Sequence, residues 1–94
     1  MVKHIVMWKL SEECDKAAAC AEIKAALEDL NGKIPGMTLC RVNPTYKGTH
    51  DLALESEFET AADEAAYQDN PLHVACKKIV AKYAVERSAA DYDF

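Results

Sequence analysis

The chain has 94 residues, enough for a single domain spanning 1–94 and close to the lower size at which a hydrophobic core holds without disulfides or metals. Half of it is apolar and it contains only three Gly and three Pro, which excludes collagen-like, low-complexity and disordered classes. The formal charge is −5, and the eleven Lys and Arg are scattered rather than gathered into a stripe, so no nucleic-acid partner is expected.

The opening MVKHIVMWKL is interrupted by Lys3 and Lys9, too early for a signal-peptide core or a membrane span, so a soluble cytoplasmic protein with no membrane partner is expected. Residues 2–10 alternate as a strand. Val2, His4, Val6, Trp8 and Leu10 share one face, and Lys3, Ile5, Met7 and Lys9 the other. Both faces are apolar in the middle, which implies cover on each side of the sheet. From Asp15, a plausible cap, the period changes to a helical one through Cys20, Ile23, Leu27, Leu30 and Ile34, and Pro35-Gly36 closes it.

A second strand is expected over Met37–Tyr46, with Pro44 marking it as an edge strand or a strand end. A third follows in HDLALESEF, with Leu52, Leu54 and Phe58 inward and Asp51, Ala53, Glu55 and Glu57 outward; His50, at its start, is expected to be exposed. Thr60 opens a short helix, and Asn70-Pro71 restarts helix, with Asn as N-cap, Pro in the first position and His73 in the third. AVERSAADYDF returns to strand character.

The order β-α-β-β-α-β predicts an α+β, ferredoxin-like protomer: a four-stranded antiparallel sheet with its helices on one face. The other face is then bare unless a second copy covers it, which predicts a homodimer burying Ile5 and Met7. Glu55, in mid-strand on that face, must either stay wet or take a cationic partner, and a cross-strand or inter-subunit pair with Arg41 or Arg87 is expected. Cys14, Cys20, Cys40 and Cys76 lack C-x-x-C spacing and are expected to be reduced thiols. The three histidines lie far apart, with no metal-binding, phosphate-loop or dinucleotide motif, so neither metal nor cofactor is expected.

MVKHIVMWKL, the Ile34-Pro35-Gly36 turn, HDLALESEF, YQDNPLHVA and the closing ADYDF together resemble the stress-responsive dimeric α/β-barrel (Dabb) family over essentially the whole chain. The strongest part is the Tyr-x-x-x-Pro-x-His run from Tyr67 to His73, combined with the Lys3-His4 pair. The resemblance implies a protomer whose sheet closes with its partner's into a homodimeric α/β barrel, and it does not by itself imply one activity. Members include stress-associated plant proteins, bacterial proteins of unknown function and a plant polyketide cyclase that closes a ring by an aldol reaction without a cofactor, using a Tyr and His pair. Tyr67 and His73 stand where that pair would stand, and His4 matches a histidine of the cyclase cleft. The chain departs from the cyclase at Asn70-Pro71, where many relatives have His-Pro, and at Ile23, Lys24 and Leu27, which replace an aromatic wall.

The functional expectation is a small protein that binds a small organic molecule in a cleft between helices and sheet. A cofactor-independent cyclase or lyase, a non-catalytic stress-associated dimer and a cofactorless monooxygenase are the alternatives. His73, as general base, and Tyr67, as oxygen stabiliser, are the candidate catalytic residues; His4, Val6, Trp8, Ile23 and Leu27 are the candidate ligand contacts. Trp8 either lines the cleft or fills it.

Overall fold

A computed structural model describes residues Met1–Phe94, in the order β1 (Val2–Leu10), α1 (Lys16–Glu28), β2 (Met37–Pro44), β3 (Leu52–Phe58), α2 (Ala61–Asp69), α3 (Pro71–Ala81) and β4 (Ala84–Asp93). The sheet order is β2-β3-β1-β4 with every pair antiparallel, the ferredoxin-like arrangement, in which α2 and α3 together occupy the place of the second helix. The joint between them is a capping event. Asn70 accepts the Leu72 N–H at 2.9 Å and Pro71 takes the first helical position, where its missing N–H leaves no helical bond unmade.

α1 begins at its expected cap, since the Asp15 carboxylate accepts the Ala18 N–H at 3.1 Å. It ends at Glu28, earlier than the apolar run suggests. Leu30 and Ile34 are buried from the turns that follow, where Gly32 supplies a φ of +81°. Pro44 is the last residue of edge strand β2, and Tyr46, expected in that strand, lies fully exposed beyond it. β3 starts at Leu52 rather than His50 because Asp51 is engaged elsewhere: its N–H donates to the Trp8 carbonyl and its carboxylate accepts the Leu10 N–H, both at 2.8 Å. His50 is half-buried rather than exposed, with Nε2 3.3 Å from the Ser88 hydroxyl.

The free edge of β2 is covered by polar side chains from α1 and the turn after it. Glu28 accepts the Val42 N–H at 2.9 Å, Lys24 Nζ donates to the Val42 carbonyl at 2.6 Å, and the Asn31 amide donates to the Cys40 carbonyl at 2.7 Å. Groups that would otherwise recruit another strand are thereby satisfied.

Alternation sorts the two faces of the sheet. Val2, His4, Val6, Trp8 and Leu10 of β1 and Leu52, Leu54, Ser56 and Phe58 of β3 are all buried beneath the helices. On the opposite face Ile5 is half-buried and Met7 is 36% exposed. Glu55 lies there between Lys3 Nζ at 2.5 Å and Arg41 at 2.6 Å, and Lys3 also reaches Glu57 at 2.6 Å. These bonds, Lys3 first, hold the Glu55 carboxyl below its ordinary range. Of the two partners expected, Arg41 is engaged and Arg87 is not, because it stands opposite Trp8 on the other face; Lys3 is a partner not expected.

Gly36 has a φ of +77°, and a Cβ placed on it would lie 2.2 Å from the Asp63 carboxyl carbon; Gly32 has a similar φ of +81° but open space where a Cβ would stand. Gly36→Ala is expected to cost about 2 kcal/mol or more in urea unfolding and Gly32→Ala about 1 kcal/mol. Equal losses would show that Asp63 moves aside freely.

Candidate functional site

A cleft of about 590 Å³ opens between α3 and the β1–β4 half of the sheet. His4, Val6 and Trp8 line it from β1 because residues two apart share a face, Leu54 enters from β3, and His73 and Lys77 come from α3. Trp8 lies along the wall, only 6% exposed, and leaves the space open. α1 contributes Leu27 alone. Ile23, expected at the ligand, is completely buried in the core and does not reach the cleft, because α1 packs over β2 while α3 borders the opening.

His73 is held by Tyr67 in two ways. Its Nδ1 lies 3.1 Å from the Tyr67 carbonyl, and since a carbonyl only accepts, Nδ1 carries the proton and Nε2 is left as the acceptor. The imidazole stacks on the Tyr67 ring at 3.8 Å and 15°, and Tyr67 packs on Phe58 at 5.1 Å. Burial pulls the imidazole pKa from its ordinary 6.5 down to about 4; Lys77 adds to this and the Tyr67 carbonyl opposes it. The helix N-terminus gives a sequence-level reason for neutrality, but burial is the larger cause.

Tyr67 does not line the cleft. It is 1% exposed, and its hydroxyl is buried without a hydrogen-bond partner. Burial also pushes the phenol well above its ordinary range. Its visible work is positional: its carbonyl and ring fix His73.

His4, 4% exposed, stands opposite Asp91 in the β1–β4 register, and its Nδ1 contacts the Asp91 carboxylate. Glu64 of α2 lies 3.7 Å from the same nitrogen. Burial, then repulsion from Asp91, raises the Glu64 carboxyl above its ordinary range. These three residues form the one grouping of His, Cys, Asp and Glu close enough to share a metal ion, their ligand atoms lying within 4.8 Å of one another. The direct Asp91–Nδ1 contact fixes the orientation of the His4 ring. Neither carboxylate is identifiable from spacing, because strand register and helix placement bring them to His4.

The model of the stress responsive A/B barrel domain (Dabb) matches residues 2–94. The chain belongs to that family. A dimeric protein of unknown function with a ferredoxin-like fold from Bacteroides fragilis NCTC 9343 is 35% identical to this Dabb chain, covering 99% of it and 95% of its own length, with a TM-score of 0.91. A dimeric ferredoxin-like protein of unknown function from Thermobifida fusca YX is 22% identical, covering 99% and 90%, with a TM-score of 0.88. Hydroxynitrile lyase from Passiflora edulis is 18% identical, covering 97% and 90%, with a TM-score of 0.83, a likeness of fold alone. No curated protein matches the sequence. No helix is long and apolar enough to cross a membrane.

The depressed His73 pKa has a defined consequence for stability. Between about 4 and 6.5 the unfolded chain binds a proton that the folded chain refuses, so this stability is complete above about pH 6.5 and is lost as pH falls toward 4. Lowering the pH from about 7 to about 5 should therefore remove about 2 kcal/mol through His73. Urea unfolding at both values, compared with His73→Gln, isolates this contribution. An NMR midpoint for His73 near 6.5 would place the ring in water and contradict it.

Proposed function

We propose that this protein binds a small organic molecule in the cleft beneath α3. The observation that carries the reading is an open space of about 590 Å³, of ligand size, with a buried neutral imidazole on its wall. Val6, Trp8, Leu27 and Leu54 offer apolar surface, and His4, Gln68 and His73 offer hydrogen bonds.

A second reading, cofactor-independent lyase or cyclase chemistry beside a carbonyl, is favoured by the pair of histidines. Both His4 and His73 commit Nδ1 to the protein, to Asp91 and to the Tyr67 carbonyl, which leaves Nε2 of each as the atom available for proton exchange. His73 takes the role of base and His4 that of the group facing the substrate oxygen. The Tyr67 hydroxyl enters only if a ligand reaches its buried position, so the Tyr-His pair becomes a His-His pair positioned by Tyr67. Deuterium exchange at the α-carbon of an aryl ketone, followed by NMR, tests this. The protein should accelerate exchange, and His73→Gln should reduce the acceleration about 100-fold or more. Trp8 fluorescence change without exchange would leave binding as the whole function.

We further propose that the protein works as a homodimer in the cytoplasm. The dimeric Bacteroides fragilis relative, the partly exposed Ile5 and Met7 on the helix-free face, and four free cysteines support this. Met7→Glu is expected to weaken self-association at least about tenfold in sedimentation equilibrium, because it buries a carboxylate without a partner. Unchanged association would move the interface elsewhere.

A further inference from the structure

The chain has more acidic than basic residues, and most of its cations hold a carboxylate partner; outside those ion pairs stand only Lys47, Lys77, Lys78 and Arg87. Lys77 and Arg87 both line the cleft. Arg87 makes no side-chain hydrogen bond, and Lys77 gives one to the Gln68 carbonyl at 2.9 Å. The acidic residue on the same wall, Glu86, is engaged by Lys9 at 3.6 Å. In a protein of net charge −5, two unneutralised cations at one cavity call for an anion that the chain itself does not supply.

The two cations stand away from the His4 end of the cleft. Asp91 stands opposite His4 and Arg87 opposite Trp8, four residues apart on β4, about 13 Å along the strand. Glu64 joins Asp91 at the His4 end. Lys77 lies one helical turn beyond His73, and Val6 lies between His4 and Trp8 on the floor. Asp91 and Glu64 contact His4 without lining the cleft, so the cavity itself runs from the two histidines over apolar Val6 to Trp8, Arg87 and Lys77.

We propose that the cleft selects organic carboxylates: molecules with an apolar, ring-sized body that lies on Trp8 and a single acid group taken by Arg87 and Lys77. The proposal rests on the small-molecule reading and adds the charge and orientation of the ligand. A guanidinium donates two parallel N–H bonds to a carboxylate lying in its plane, and a flexible ammonium from the facing wall completes the neutralisation. Anchored there, the remainder of the molecule extends toward His73 and His4, so the anion would set which of its carbon atoms meets the histidines.

Trp8 is the only tryptophan and reports on its own wall of the cleft. Fluorescence titration with 3-phenylpropionate and with the uncharged 3-phenylpropanamide separates charge from shape. The acid should bind about tenfold tighter or more. Arg87→Gln should bring the ratio close to one while leaving the amide's affinity unchanged, and Lys47→Gln, a cation away from the cleft, should preserve the preference. Arg87 is exposed and unbonded, so folding should survive; Lys77→Gln provides an independent arm, expected to reduce the ratio in the same direction. Equal affinity for acid and amide, or an equal loss of preference in Lys47→Gln, overturns carboxylate selectivity and leaves the cleft as a binding site. Failure of both compounds to perturb Trp8 fluorescence or the cleft amide resonances would instead overturn the small-molecule reading itself.

Discussion

The alternation of β1 is the constraint on which the rest of the protein depends. As an interior strand it pairs with β3 on one side and β4 on the other, so its two-residue period decides at once what faces the helices and what faces away. A slip by one residue would put Lys3, Ile5, Met7 and Lys9 under the helices and expel His4, Val6 and Trp8, destroying core and cleft together. The same register brings Asp91 to His4 and Arg87 to Trp8. The electrostatics of the cleft are thus a by-product of strand pairing.

Once β1 is fixed, α3 determines the chemistry. Asn70 and Pro71 start the helix so that the third residue, His73, turns its ring onto Tyr67 and its Nδ1 onto the Tyr67 carbonyl. A backbone acceptor and an aromatic stack restrain the imidazole more firmly than a flexible side-chain partner would, at the cost of burying a titratable group. His4 is oriented by the opposite device, a carboxylate across the strand pair. Two histidines on one cavity are therefore oriented by different groups, a backbone carbonyl and a carboxylate.

The elements were legible in the sequence wherever a period or a cap speaks locally. Asp15, Thr60 and Asn70 cap the helices, and Leu52, Leu54 and Phe58 point inward. What the sequence left open was relational. Arg41 could be named as a partner of Glu55, but Lys3 required the β1–β3 register that places Ile5 opposite Glu55 and thereby sets Lys3 beside it on the same face. Asp91 and Glu64 reach His4 only through β4 pairing and the placement of α2. Ile23 and Leu27 are one helical turn apart and equally apolar, yet only Leu27 meets the cleft, a difference set by how the helices divide the sheet between them. Nothing in the sequence around Tyr67 says whether its hydroxyl points at a cavity or into the core.

The two ends of the sheet are unequal. β2 has backbone groups of Cys40 and Val42 occupied by Asn31, Lys24 and Glu28, whereas the far edge of β4 pairs with no strand. A sheet with a blocked end and an open one has no head-to-tail mode of growth. If two β4 edges meet, both are consumed, and the next copy finds only β2 on either side. Misassembly by strand addition is capped at a pair, which lets the protein keep a long, accessible strand beside its cavity without becoming the seed of a fibre.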